Sequence, residues 1–264
     1  MMKTPMKKKQ INFVFFGTTP LAEGVLAELA KAQLVPARVI DSAKVASNLI
    51  EELSQTEWDV FVVASYGAIL PENLLNIPKR GVLNVHPSLL PRLRGPSPMR
   101  SAILNDEKET GVSIMLLDKE MDHGPLLAQK KVSIPLWPPH GKELDSLLAH
   151  EGGKLLAQIL PLWVEGKLKQ QKQNHDLATY TEKFTKGDGL LDLSDDAYKN
   201  LLKVRAFEGW PCTYAFFERA GKKIRVQVLD AHLEGTKLVI DTVKPEGKKE
   251  MPYEDFLRSG AQPL

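Results

Sequence analysis

Cysteine is almost absent from this chain of 264 residues: Cys212 is the only one. An intramolecular disulfide and a Cys-rich zinc site are therefore excluded. No run approaches the ~20 apolar residues that span a bilayer. A charge excess of one sign is missing too, since 35 Lys+Arg face 33 Asp+Glu for a formal net charge of +2. No overall basic field announces a nucleic-acid partner, so any such surface must be local. There is neither an internal repeat nor a low-complexity tract. Hydrophobic residues at 43% and charged residues at 26% instead match a folded globular protein, at a length that suits one large or two smaller domains of roughly 150 residues.

The N-terminal stretch from Met1 to Gln10 is basic, and the apolar run behind it, Ile11 to Phe16, is too short for the core of a signal peptide. The expectation is a frayed tail ahead of a first buried strand, in a cytoplasmic protein. Strand and helix signals then alternate. Near-continuous apolar runs at Ile11–Phe16 and Asp59–Ala64 predict strands buried on both faces. Further strands are expected at Val39–Ile40, a short one, and at Gly81–His86, Val112–Leu117 and Leu126–Ile134. Amphipathic helices are predicted over Pro20–Ala32, Val45–Leu53, Pro98–Leu104 and Leu144–Val164. Such alternation predicts an α/β fold, a doubly wound and mostly parallel sheet. In that architecture the site lies beyond the carboxyl ends of the strands. Gly17-Thr18-Thr19-Pro20, Ser65-Tyr66-Gly67 and His86-Pro87-Ser88 should therefore meet at one edge.

Composition changes at Lys167. A polar linker is expected over 167–182, separating a first domain, 1–166, from a small second one, 183–264. The latter should hold a helix near Asp195–Phe207 and short strands at Thr213–Phe217, Ile224–Ala231 and Leu238–Val243, as a small α+β or barrel-like domain.

Chemistry concentrates in Asn84-Val85-His86-Pro87-Ser88-Leu89-Leu90-Pro91-Arg92-Leu93-Arg94-Gly95. Asn84 and His86 lie two residues apart on a strand and so share a face. An amide and an imidazole there can polarise a carbonyl oxygen and stabilise an oxyanion. Asp122, in a turn between two strands and 36 residues after His86, can orient a histidine or accept a proton, or simply cap the turn. The other histidines have no metal-ligand spacing, so no metal is expected.

Asn84, His86 and the run Ser88-Leu89-Leu90-Pro91 with Gly95, followed by Asp122-His123-Gly124-Pro125, resemble the signature of the folate-dependent formyltransferases. The resemblance implies a Rossmann-like formyltransferase domain in which Asn84, His86 and Asp122 are catalytic and 10-formyltetrahydrofolate is the formyl donor. It implies a pterin pocket formed by Ser65, Tyr66, Gly67, Ile69 and Leu70 with Ser88, Leu89 and Pro91. Further on, Val204-Arg205-Ala206-Phe207-Glu208-Gly209-Trp210-Pro211 and the closing Pro245–Met251 segment resemble the methionyl-tRNA formyltransferases. There the second domain is an oligonucleotide-binding-type barrel. The amine would then be the methionine of initiator methionyl-tRNA, with Arg92, Arg94, Lys167, Lys169, Lys248 and Lys249 as tRNA contacts.

Two features depart from that family. Its long basic loop after the second strand is missing, because Val39-Ile40 passes almost directly into a helix beginning near Ala43. The C-terminal barrel is short by about one hairpin. From Lys167 to Leu264 there are 17 Lys+Arg against 15 Asp+Glu, so tRNA binding would rest on local basic patches. A nucleotide-sugar N-formyltransferase shares the catalytic domain and stays open as an alternative, as does a non-catalytic tRNA-binding protein. A glycinamide ribonucleotide formyltransferase or a formyltetrahydrofolate hydrolase would have no use for the second domain. The chain is expected to be a monomer.

Overall fold

The computed structural model describes residues 10–19, 21–41 and 48–264. The basic N-terminal stretch, Pro20 and the segment 42–47 lie outside the described residues, and with them the start of the expected second helix and the expected loss of a loop there.

The first sheet is built from β1 (Phe13–Gly17), β2 (Arg38–Ile40), β3 (Val60–Ala64), β4 (Val82–His86), β5 (Thr110–Leu116) and β6 (Leu126–Val132), in the order β2-β1-β3-β4-β5-β6. Helices α1 (Leu21–Lys31), α2 (Leu49–Ser54), α3 (Glu72–Leu75), α4 (Pro98–Leu104) and α5 (Gly141–Val164) punctuate these strands along the chain. All five residues of β1 and of β3 are buried, as continuous apolar runs require in a sheet covered on both faces. The first four strands pair in parallel. β5 runs antiparallel to β4, with His86 opposite Ser113, so the sheet is mixed at that side. From β1 the chain first winds one way to β2 and then returns to the other side at β3. This reversal makes the carboxyl edge a topological switch point. Two of the three turns expected at this edge meet there: the Thr18 amide donates to the Ser65 carbonyl at 3.2 Å.

α5 lies close behind the site strand because its sequence carries Gly152-Gly153. A Cβ on Gly152 would come within 2.6 Å of a Val85 methyl, and Val85 is the residue between Asn84 and His86. One on Gly153 would come within 2.9 Å of Val25 Cα and 3.0 Å of its carbonyl oxygen in α1. Backbone cannot give way as a side-chain tip can. Alanine at 153 would gain about 1 kcal/mol of helix propensity and lose about 1–3 kcal/mol to overpacking. Gly153→Ala is therefore expected to lower the stability measured by urea denaturation by about 1 kcal/mol; a variant more stable than the parent would contradict this close packing.

The chain divides into two compact units. The first comprises residues up to Arg94, Gly111–Val132 and Ser146–Ala178; the second comprises Gly95–Thr110, Ser133–Asp145 and Thr179–Leu264. In the second unit α6 (Ala197–Ala206) is followed by β7 (Thr213–Arg219), β8 (Lys222–Glu234), β9 (Lys237–Pro245), β10 (Met251–Pro252), α7 (Tyr253–Arg258) and β11 (Gln262–Pro263). The strands form an antiparallel sheet in the order β10-β9-β8-β7-β11. The sequence pattern did not indicate α7, β10 or β11, elements of two to six residues that carry little periodicity of their own. α7 is held by Phe256, which is 1% exposed and meets Phe217 edge-on at 5.2 Å. α4 belongs to this unit, where Arg100 grips Asp145 with two hydrogen bonds of 2.6 Å. No helix among the described residues is long and apolar enough to cross a membrane.

Candidate active site

Asn84 and His86 end β4 on one face, as the two-residue period of a strand requires. Asp122 joins them from the turn between β5 and β6. Asn84 Nδ2 donates to Asp122 Oδ1 at 3.3 Å, and His86 Nδ1 stands 3.6 Å from the same oxygen. His86 is 4% exposed and Asp122 8%, so the carboxylate and the imidazole face each other largely out of water. His86 Nε2 lies 3.0 Å from the Leu93 carbonyl. A carbonyl can only accept, so Nε2 carries a proton. Nδ1 is the nitrogen that faces Asp122, at 3.6 Å and so beyond hydrogen-bond length.

The loop after β4 is built to deliver that carbonyl. Ser113 Oγ on β5 donates to the Ser88 carbonyl at 2.6 Å and accepts from the Leu90 amide at 3.0 Å. Gln129 on β6 donates to the Leu90 carbonyl at 2.7 Å. Ser88, 1% exposed, donates its hydroxyl to the Arg92 carbonyl, so it shapes the loop from within. Leu89 and Pro91 beside it are half-buried, and Arg92 is exposed.

Ser65, Leu93 and Asp122 all have positive φ, at 54°, 56° and 50°. For non-glycine residues this left-handed conformation costs on the order of 1–3 kcal/mol each, and such strain gathers at functional sites. No glycine or asparagine marks these positions, so sequence carried no signal of them. Along the 65–70 segment, Ser65 and Gly67 are exposed, Leu70 is buried, and Ile69 is 85% exposed. The Tyr66 hydroxyl is buried without a hydrogen-bond partner among the described residues. Burial pushes the Tyr66 phenol up from its ordinary pKa, which keeps it a neutral donor. Pro71 precedes α3 as its cap residue, so the segment is also a strand-to-helix turn.

Sequence reasoning missed Gln173. It sits in a Lys/Gln-rich stretch that reads as solvated linker, yet it is 5% exposed. Its Nε2 donates to the carbonyls of Asp122 at 2.9 Å and Gly124 at 2.7 Å. Gln171 nearby exchanges backbone hydrogen bonds of 2.8 and 2.9 Å with Leu126, extending the sheet beside β6. Arg94, expected to face the tRNA, is 1% exposed. Its Nη2 donates to Gln173 Oε1 at 2.7 Å and to His175 Nδ1 at 2.8 Å, which turns it inward and not toward a ligand. Lys167, Lys169, Lys248 and Lys249 are exposed, and Lys167 pairs with Glu165 at 2.6 Å. Among the described residues no three His, Cys, Asp or Glu side chains gather as metal ligands would.

A sequence profile described as formyl transferase matches residues 13–160. The chain is 36% identical over 260 residues to the methionyl-tRNA formyltransferase of Roseiflexus sp. strain RS-1, covering 91% of this chain and 78% of that protein. It is 43% identical over 178 residues to the methionyl-tRNA formyltransferase of Chloroflexus aurantiacus strain J-10-fl, covering 67% of this chain and 56% of that one. In structure it resembles the methionyl-tRNA formyltransferase from Clostridium thermocellum, with a TM-score of 0.68 at 17% identity over 89% of this chain and 99% of that chain. That likeness speaks for the fold, whereas identity above one third along 91% of the chain speaks for descent. The chain belongs to the methionyl-tRNA formyltransferase family.

Proposed function

We propose that this chain transfers a formyl group from 10-formyltetrahydrofolate to the amino group of methionine on initiator methionyl-tRNA. The observation that carries this reading is the meeting of Asn84, His86 and Asp122 at the carboxyl end of β4 in a chain of this descent. The 65–70 segment suits a flat heterocycle with polar edges. Tyr66 offers a buried hydroxyl that lacks a partner, and Ile69 an apolar surface in the open. Ser65 and Gly67 on that segment, Leu70 beneath it, and Leu89 and Pro91 on the loop that Ser88 braces complete the pterin pocket. When bound there, 10-formyltetrahydrofolate supplies a formyl carbon open to attack by an amine.

The protein's own groups then divide the work. The Asn84 amide and, when protonated, His86 Nδ1 donate to the oxygen on which negative charge grows, the preorganised kind of stabilisation that dominates acyl-type transfer. Asp122 holds the imidazolium by its charge, takes up the proton that the attacking amine sheds as the new C–N bond forms, and can return it to the folate nitrogen that leaves as the old C–N bond breaks. The Leu93 carbonyl keeps the ring in the orientation that presents Nδ1.

Residues 1–166 act as the catalytic domain and 183–264 as the domain that holds tRNA, with 167–182 joining them. Arg92, Lys167, Lys169, Lys248 and Lys249 are the exposed cations proposed to meet phosphate, so binding should weaken with salt. The enzyme works as a cytoplasmic monomer.

The deciding assay measures formyl transfer from 10-formyltetrahydrofolate to methionyl initiator tRNA, with methionyl elongator tRNA and a 4-amino nucleotide sugar in parallel. Fast transfer to initiator tRNA alone is expected. Equal rates on both tRNAs would keep the reaction but remove the initiator selectivity, and turnover of the sugar alone would replace the substrate assignment.

A further inference from the structure

Asp122 is held by something its own loop does not supply. Its backbone is left-handed at φ 50°, a region uncommon for a residue other than glycine, though one that aspartate tolerates better than most. The contacts that hold the turn in place come from Gln173, 51 and 49 positions away in the chain. Gln173 Nε2 bridges the carbonyls of Asp122 and Gly124, so one amide group clamps both sides of the turn at His123. The orientation of that amide is set in its turn. Arg94 donates to Gln173 Oε1 through Nη2 at 2.7 Å and Nε at 3.3 Å, which assigns oxygen to the Arg94 side and nitrogen to the Asp122 side. Arg94 is steadied by His175 Nδ1 at 2.8 Å. The His175 ring stacks on His123 at 4.1 Å, and His123 Nδ1 donates to Asp118 Oδ2 at 2.9 Å.

We propose that Gln173 is a positioning residue for formyl transfer, oriented by Arg94, and that it sets the backbone of Asp122 so that one carboxylate oxygen faces both Asn84 and His86. This rests on the function proposed above. Two carbonyl acceptors converge on Nε2 and an Arg fork converges on Oε1, so only a side chain that donates at one terminal atom and accepts at the other fits. A hydrocarbon at 173 would leave buried carbonyls and a buried guanidinium without these partners. A carboxylate would keep Arg94 and repel the turn. The segment 167–182 thus carries part of the active-site framework in addition to joining two domains. The effect should fall on kcat, because the Gln173 amide holds the main chain on either side of the carboxylate proposed to act in the chemical step, and small displacements of a catalytic group cost on the order of 10²-fold.

The test compares Gln173→Met and Gln173→Glu with the parent in steady-state formyl transfer, alongside thermal melting and a crystal structure of Gln173→Glu. Both variants should lose about 10²-fold in kcat with KM for either substrate within about threefold, and the 118–125 turn should depart from its parent conformation. In an Asp122→Asn background, Gln173→Met should cost little more. A Gln173→Glu enzyme with parent kcat, or a loss that multiplies fully with Asp122→Asn, would overturn the proposal. Arg94→Lys keeps the cation but cannot span Gln173 and His175 together. It should lower kcat about tenfold at unchanged KM, and it decides the matter if the Gln173 variants do not fold, with parent kcat counting against the proposal. If the parent chain itself formylates no methionyl-tRNA, the function falls. The crystal structure of Gln173→Glu still decides whether Gln173 places Asp122.

Discussion

Asp122→Asn is expected to lower kcat for formylation of methionyl-tRNA by about 10²–10⁴-fold, the range that a positioned acid–base group commands. The substitution is chosen for its backbone. Asp122 sits at φ 50°, and asparagine tolerates that region as aspartate does. The contacts that hold the turn from Gln173 go to main-chain carbonyls, which the variant keeps. Shape is nearly unchanged as well, so what disappears is the charge facing His86 across 3.6 Å and the ability to take a proton. Melting temperature should therefore stay near that of the parent while turnover falls. Rapid-quench single-turnover kinetics separate the chemical step from tRNA release. A chemical rate within threefold of the parent would show that Asp122 is a turn residue and nothing more.

Asn84→Ala and His86→Ala should each reduce kcat by about 10²–10³-fold, since each removes one donor from the place where an oxyanion would form. The pair should be far from additive. Asn84 and His86 share Asp122 Oδ1 as their common neighbour, and groups that act as a unit lose most of their effect when the first is removed. The double variant is thus expected to be little slower than the worse single one. His86→Ala also frees the Leu93 carbonyl from its 3.0 Å partner, so that variant should lose some stability where Asn84→Ala, at a half-buried position, loses less. Multiplicative losses in kcat would mean that the two residues serve separate steps.

Why these residues were legible and others were not follows from the kind of signal each leaves. Asn84 and His86 stand at the end of an apolar strand, where polar residues two apart interrupt an otherwise buried run. Asp122 precedes His-Gly-Pro, a turn whose composition is unusual enough to notice. The strands β1 and β3 were visible because both of their faces are buried, and α4 was visible over the same residues, Pro98–Leu104, that it occupies. Gln173 left no trace. A buried glutamine is indistinguishable in sequence from the exposed glutamines at 170 and 171, and its partners lie 51 and 49 residues away. Arg94 misled for the same reason, since an arginine beside a catalytic loop reads as a ligand contact until its donors are found to be used.

Local pattern determined most element types, the α/β class and the sheet edge at which Asn84 and His86 end their strand, because hydrophobic period and turn chemistry act over a few residues; it was the resemblance to the formyltransferases that joined Asp122 to them. Tertiary structure decided the antiparallel placement of β5, the left-handed backbone at Ser65, Leu93 and Asp122, and the inward turn of Arg94 onto Gln173. At Ser65, Asp122 and Arg94 the hydrogen bonds run between segments 47 or more residues apart, and no local periodicity encodes a partner at that distance.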